Sequence, residues 1–270
     1  MDKFKDKVAL ISGASRGVGY AIAARLVGAG AKVVISARGR ERLEDSGAKL
    51  RRDGGEVVSV AGDIGRLEDA QSMVDAAILN FGRLDILVNN AGVSMRGNFA
   101  DLSDEVCSRV IATNLTGSIN LSRLAIKHII ATRGSLSFIS SIAGLFGLPG
   151  ASIYCASKMA LTGLSESLRL ELIPKGVHVG VAYLGFTEHD SEKRILAADG
   201  SLVPPDRPAH NSQAQAAKHV VSMIARRKKQ VVMSPVGNLG RFAHRLSPRL
   251  VEQAVLWAQA RRIGLFKRFQ

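Results

Sequence analysis

The stretch VALISGASRGVG, residues 8–19, decides the fold. Val8 to Ser12 is a short apolar run of the length of a buried strand. Gly13, Gly17 and Gly19 follow, and a helix-like segment, Val18–Gly30, begins among them. Glycine permits a tight turn and lets the backbone approach a pyrophosphate closely. The start of the helix adds unpaired amide donors and the positive end of its dipole. The placement between a first strand and a first helix is what gives the glycines meaning.

The rest of the chain keeps this rhythm. Lys32–Ala37, Glu56–Ala61, Leu84–Asn89, Ser135–Ser140, His178–Ala182 and Gln230–Ser234 read as strands, and Leu67–Phe81, Ser103–Ala131 and Ile153–Ile173 as helices. Strands that are apolar throughout and alternate with helices predict a parallel sheet covered on both faces. Right-handed crossovers make it doubly wound. The expected class is α/β. A single Rossmann-type domain with a parallel sheet of about seven strands takes residues 1–237. A basic amphipathic helical extension takes residues 238–270. The one long irregular stretch, Gly185 to Asn211, is of a length that in compact domains usually serves function.

Two positions bear on the choice of dinucleotide. The second strand ends in Ser36-Ala37-Arg38, without the acid that would bind a ribose 2′-hydroxyl. Arg38, with Arg16 in the glycine turn, suits a 2′-phosphate through planar, multidentate donors, so NADP(H) is the expected cofactor.

The sharpest chemical signal is Tyr154-Cys-Ala-Ser-Lys158, whose four-residue spacing puts both side chains on one helix face. A free tyrosine, with a pKa of about 10, is a poor base at neutral pH. A neighbouring ammonium stabilises the phenolate, and the residue can then exchange a proton with an alkoxide or alcohol. Ser141 closes the preceding strand, at the sheet end where α/β folds place ligands. The six histidines form no metal-spaced cluster, and Cys155 reads as a small buried thiol.

Together these stretches resemble the short-chain dehydrogenase/reductase family, with a hydroxysteroid-dehydrogenase-like branch in view. SGASRGVG at 12–19, Asp63, NNAG at 89–92, Asn114 in TNLTG, SSIAG at 140–144 and YCASK at 154–158 occur in the family's order, within about residues 7–190. The resemblance implies Tyr154 as acid/base and Lys158 as its electrostatic partner and ribose ligand. Ser141 would orient the substrate carbonyl, Ser140 being its rival, and Asn114 would support a water-mediated proton path. Gly13, Ser15, Arg16, Gly17, Val18, Gly19, Arg38, Asp63, Ile64, Asn90, Ala91 and Gly92 would hold the cofactor, with no metal. After the sixth strand the family's usual Pro-Gly is replaced by Leu184-Gly185-Phe186-Thr187, so Thr187 comes early as a nicotinamide contact. The expected partner is a small-to-medium, lipophilic carbonyl or alcohol, and the expected assembly a homodimer or homotetramer. A 3-oxoacyl-carrier-protein-type reductase and a non-catalytic NADP-binding scaffold are the alternatives within this frame.

Composition bounds the remaining readings. The chain has 270 residues, 46% hydrophobic and 22% charged, which excludes a disordered protein. MDKFKDKVALISG shows no apolar signal region, no long apolar run suggests a spanning helix, and Cys107 and Cys155 alone suggest a reducing compartment. A cytoplasmic location is expected. The formal net charge of +14 is concentrated at one end: from Arg226 onward there are eleven basic residues and one acid, Glu252. No zinc-finger or aromatic-studded motif turns that charge into a nucleic-acid site. The run Arg226–Lys229 reads as the solvated end of a helix. Leu250, Val251, Ala254, Val255, Trp257 and Ala258 form a helical stripe, followed by alternating basic and apolar residues to Phe269. Such a tail either packs on protein or lies on an anionic membrane surface.

Overall fold

A computed structural model describes residues 2–188, 192–205 and 211–261. Seven parallel strands form one sheet: β1 (Val8–Ser12), β2 (Lys32–Ala37), β3 (Val57–Ala61), β4 (Ile86–Asn89), β5 (Ser135–Ser141), β6 (His178–Leu184) and, after the two short strands below, β9 (Gln230–Val232). Their order is β3-β2-β1-β4-β5-β6-β9, so the winding reverses between β1 and β4. That reversal opens a crevice at the carboxyl ends of the strands. The doubly wound α/β class read from the sequence is the observed one.

The helices are α1 (Gly17–Val27), α2 (Arg40–Arg52), α3 (Leu67–Phe81), α4 (Asp104–Ile111), α5 (Gly117–Ala131), α6 (Ser152–Leu172), α7 (Gln213–Ala225), α8 (Pro235–Leu246) and α9 (Pro248–Ala260). Alternation along the strands builds a core on each face of the sheet. Ala9 and Ile11 of β1 join Ile22, Leu26 and Val220, while Val8 and Leu10 join Met73, Leu121, Phe138 and Leu161.

The segment expected as one helix over Ser103–Ala131 is α4 and α5 joined by a single π turn, Ala112–Thr116. Within the stretch expected to be irregular lies an antiparallel pair, β7 (Ile195–Leu196) with β8 (Leu202–Val203). Helix α2 is an addition to the elements expected from the sequence, and α7 is the helix whose end is read at Arg226–Lys229. The solvated helix end expected at Arg226–Lys229 is observed, since α7 stops at Ala225 and all four residues are exposed. Arg227 takes a left-handed φ of 49° and donates to the carbonyls of Arg133 (3.3 Å) and Gly176 (2.5 Å), which pins the α7–β9 turn to two other loops. Beneath it, buried His178 lies 2.7 Å from the Ser135 hydroxyl and donates from Nε2 to the Lys228 carbonyl at 2.9 Å. Burial lowers its pKa, which favours the neutral ring. The basic tail from Arg262 to Phe269 lies outside the described residues.

Candidate active site

The glycine turn closes against the loop after β4. Gly13 has a φ of +66°, and a Cβ there would stand 2.7 Å from the Ala91 Cα. At Gly19 a Cβ would lie 2.4 Å from both the Asn90 amide nitrogen and the Gly13 carbonyl. The contact is fixed by Ser12, a buried residue that sequence reading does not single out. Its Oγ accepts from the backbone amides of Asn90 and Ala91, both at 3.1 Å. Asn90 Nδ2 answers by donating to the carbonyls of Ser12 and Gly13. The N-terminus of α1 therefore faces the crevice on a rigid frame. Arg16 at its N-cap position provides no side-chain cap to the first-turn amides, which leaves the backbone donors an anion needs.

One cavity of about 950 Å³ runs along this crevice. Gly13, Ser15, Arg16, Gly17, Val18, Gly19, Arg38, Asp63, Ile64, Asn90, Ala91, Gly92, Ser141, Tyr154, Lys158 and Thr187 all line it. Of the site residues expected from sequence, Asn114 alone is absent from the lining. At one end Arg16 and Arg38 are joined by Arg42, which pairs with Glu192 of the long segment after β6. Arg38 Nη1 stands 3.9 Å from Asp63 Oδ2, and Asp63 Oδ1 accepts from the Gly65 amide. The other end is lined by Leu148, Phe186, Ile195 and Val203, with Arg96, Lys193 and Arg194 among them.

The first turn of α6 carries the centre of the site. Tyr154 is half-buried and Lys158, one turn on, is enclosed. The Lys158 ammonium lies 5.8 Å from the Tyr154 ring centroid and donates to the Ile139 carbonyl at 3.0 Å. Burial, and secondarily the charge of Lys193, lowers its pKa from 10.5 to about 8. Burial raises the pKa of the Cys155 thiol next door, as befits a packing residue.

The two candidate serines have different surroundings. Ser140 is buried and its hydroxyl donates to the Lys158 carbonyl at 3.1 Å, which anchors α6 to β5. Ser141 closes β5 and its Oγ accepts from the Ala143 amide at 3.3 Å, leaving the hydroxyl proton to point elsewhere.

Asn114 sits in the π turn, fully buried. Its Oδ1 accepts from the Val93 amide at 2.8 Å, and its Nδ2 donates to the Val93 carbonyl and to Ser157 Oγ, both at 3.0 Å. Ser157 in turn donates to the Tyr154 carbonyl at 2.7 Å. The side chain thus ties the β4 loop to the turn that presents Tyr154. Between Asn114 and Lys158 only a glycine fits comfortably, since a Cβ at Gly92 would stand 3.2 Å from Asn114 Oδ1 and 3.3 Å from Lys158 Nζ. Beyond β6, Thr187 is buried, its hydroxyl donates to the Gly185 carbonyl at 3.2 Å, and its backbone bridges to Asn211. Among the described residues no cluster of His, Cys, Asp or Glu could hold a metal ion.

Comparison with known proteins agrees with this geometry. The family model described as short chain dehydrogenase matches residues 7–199. An uncharacterized oxidoreductase of Bacillus subtilis, YxnA, is 32% identical over 96% of this chain and 75% of its own length. The 11-beta-hydroxysteroid dehydrogenase-like 4A of Arabidopsis thaliana is 35% identical over 84% of this chain and 76% of its own. A crystal structure of a short chain dehydrogenase/reductase from Burkholderia phymatum, in complex with NAD, superposes with a TM-score of 0.82 at 24% identity, covering 93% of this chain and 96% of that one.

Proposed function

The chain belongs to the short-chain dehydrogenase/reductase family, and from that premise we propose that it moves a hydride between NADP(H) and a carbonyl or secondary alcohol, with Tyr154 as the proton donor or acceptor. The observation that carries this reading is the pairing of half-buried Tyr154 with enclosed Lys158 on the wall of the one cavity that the glycine turn also lines.

The residues present fit a dinucleotide. The uncapped start of α1 and the close-packed glycine turn suit a pyrophosphate, and Arg16 and Arg38 suit a 2′-phosphate, with Arg42 as a third cation alongside. When bound, the nicotinamide supplies or takes the hydride. In the reductive direction the Tyr154 hydroxyl gives its proton to the carbonyl oxygen as the hydride reaches the carbon, and an alcohol results. The nearby Lys158 ammonium stabilises the charge left on the phenol oxygen and would hold the ribose of a bound cofactor. Ser141 donates to the same carbonyl oxygen and orients it. Asn114 acts through Val93 and Ser157 to position the turn that carries Tyr154, and Thr187 would contact the carboxamide of a bound cofactor. The apolar lining of Leu148, Phe186, Ile195 and Val203 favours a lipophilic substrate. A second reading, a 3-oxoacyl thioester on an anionic carrier, draws on Arg96, Lys193 and Arg194 in the same half of the cavity.

The test is cofactor oxidation, followed with NADPH and NADH, against ketones, aldehydes, steroids and acyl thioesters. Tyr154→Phe should lower turnover on the best substrate by about 10²-fold or more and leave NADPH affinity nearly unchanged. Near-normal turnover in that variant would remove Tyr154 from the chemistry.

A further inference from the structure

The apolar stripe at the end of the chain divides in two in the folded protein. On α9, Val251, Val255 and Ala258 are half-buried on the side that packs against α8, whereas Leu250, Ala254 and Trp257 face outward at i, i+4 and i+7. Helix α8 shows the same habit, with Leu239, Phe242 and Leu246 at i, i+3 and i+7. These three are 69%, 63% and 71% exposed, and Leu250 and Trp257 are 64% and 53% exposed. Single exposed leucines are ordinary, but two adjacent helices that both turn large apolar side chains outward make a patch that soluble surfaces rarely leave bare.

Charge selects the occupant. Exposed Arg249 lies on α9 and exposed Arg261 caps its end, with the Arg261 guanidinium 4.8 Å from the centre of the Trp257 ring. From Arg241 to the end the sequence carries seven basic residues against Glu252 alone. A second copy of this chain would bring like charges together on the patch, and repulsion opposes that pairing. A bare polyanion would satisfy the arginines and leave the apolar residues in water. An anionic bilayer meets both needs, taking the apolar side chains at the headgroup boundary and the cations at the phosphates.

The patch also borders the active site. A Cβ at Gly237 would stand 3.0 Å from Ile142, and one at Gly240 would stand 2.8 Å from Phe146, so α8 lies directly on the segment after β5. Ile142 itself lines the cavity. We propose that the outward face of α8 and α9 docks on an anionic lipid surface and sets the substrate half of the cavity beside the membrane.

Trp257 is the only tryptophan in the chain and reports on docking directly. The full-length protein is mixed with vesicles of phosphatidylcholine alone, and with vesicles of equal parts phosphatidylcholine and phosphatidylglycerol. Tryptophan emission and co-sedimentation are then followed against salt. Docking predicts a blue shift and sedimentation with the anionic vesicles only, both weakened by salt. Each cation near such a surface contributes roughly fivefold to partitioning, so Arg249→Gln with Arg261→Gln should weaken it about 25-fold. Phe242→Ser with Leu246→Ser, at exposed positions that spare the fold, should abolish the blue shift. Unchanged emission and a protein that stays in the supernatant at low salt would overturn the proposal. So would light scattering that shows a dimer burying Trp257 and indifferent to vesicles. None of these readouts requires turnover, so the docking proposal and the hydride chemistry fail separately.

Discussion

Replacing Lys158 by methionine should make the cofactor-free protein more stable at neutral pH while destroying its turnover. Burial, with help from Lys193, brings the lysine from 10.5 to about 8. That gap of about 2.5 units means that the fold disfavours the ammonium by about 3 kcal/mol, at 1.36 kcal/mol per unit. The sign follows from proton counts. Below pH 8 both folded and unfolded chains hold the proton, and the folded chain carries the whole cost. Between about pH 8 and 10.5 the unfolded chain binds more protons than the folded one, so stability rises with pH and the cost fades. Methionine carries no charge but gives up the hydrogen bond to Ile139, worth about 1 kcal/mol. The variant should therefore be about 2 kcal/mol more stable at pH 7, and slightly less stable than the parent above pH 10.5. Urea titrations of both proteins at pH 7 and pH 10 measure this, because groups common to both cancel in the difference. A stability difference that does not change between the two pH values would refute the reasoning.

Other substitutions separate the roles of the remaining residues. Arg38→Asp should turn the preference from NADPH towards NADH, read by fluorescence titration with both; equal loss of affinity for the two would show that Arg38 does not contact the phosphate. Gly92→Ala wedges a methyl group between Asn114 and Lys158, and should cut kcat by about tenfold or more with a melting temperature close to the parent's. Asp85, at the opposite end of the sheet, is buried. That burial would raise its pKa, but Arg83, the Val8 amide and Lys7 hold it below 3.8. Asp85→Asn should cost about 2–4 kcal/mol in denaturant titration without changing kcat per folded molecule. In the parent, the stabilisation from Asp85 should be present above pH 3.8 and lost as pH falls through its lower folded value.

The sheet is legible in the sequence because its strands are apolar on both faces, as strands covered by helices on two sides must be. Helix α2 is not, because RERLEDSGAKLRR buries only two large apolar residues, Leu43 and Leu50, and its other buried positions are Ser46 and Gly47. Helix α7 does carry a signal, the capping box of Ser212 and Gln215 ahead of an apolar run. The two-residue strands β7 and β8 are too short for any period to show. In the site, the glycine turn and the Tyr154–Lys158 pair are readable because each is local. Ser12 is not, since its partners Asn90 and Ala91 lie 78 and 79 residues away. The pairing of Arg42 with Glu192 likewise exists only once the segment after β6 folds over α2.

The π turn between α4 and α5 acts as a gear tooth. Val106, Val110, Asn114, Ser118 and Ser122 are all buried, and they recur strictly every fourth residue. On an unbroken α-helix, with 3.6 residues per turn, that repeat slips by about 40° at each step and would end facing about 160° away from where it began. The wider turn at Ala112–Thr116 takes up about 100° of that slip, so apolar residues of α4, the amide of Asn114 and the inner face of α5 all stay on the buried side. The surplus residue is thus a matter of length rather than identity. Deleting one residue between 112 and 116 would let the turn close to an ordinary α turn, with α4 and α5 keeping their headings but the Asn114 amide displaced from Val93 and Ser157. Homologous chains should accept substitutions along this helix far more readily than a change in its residue count.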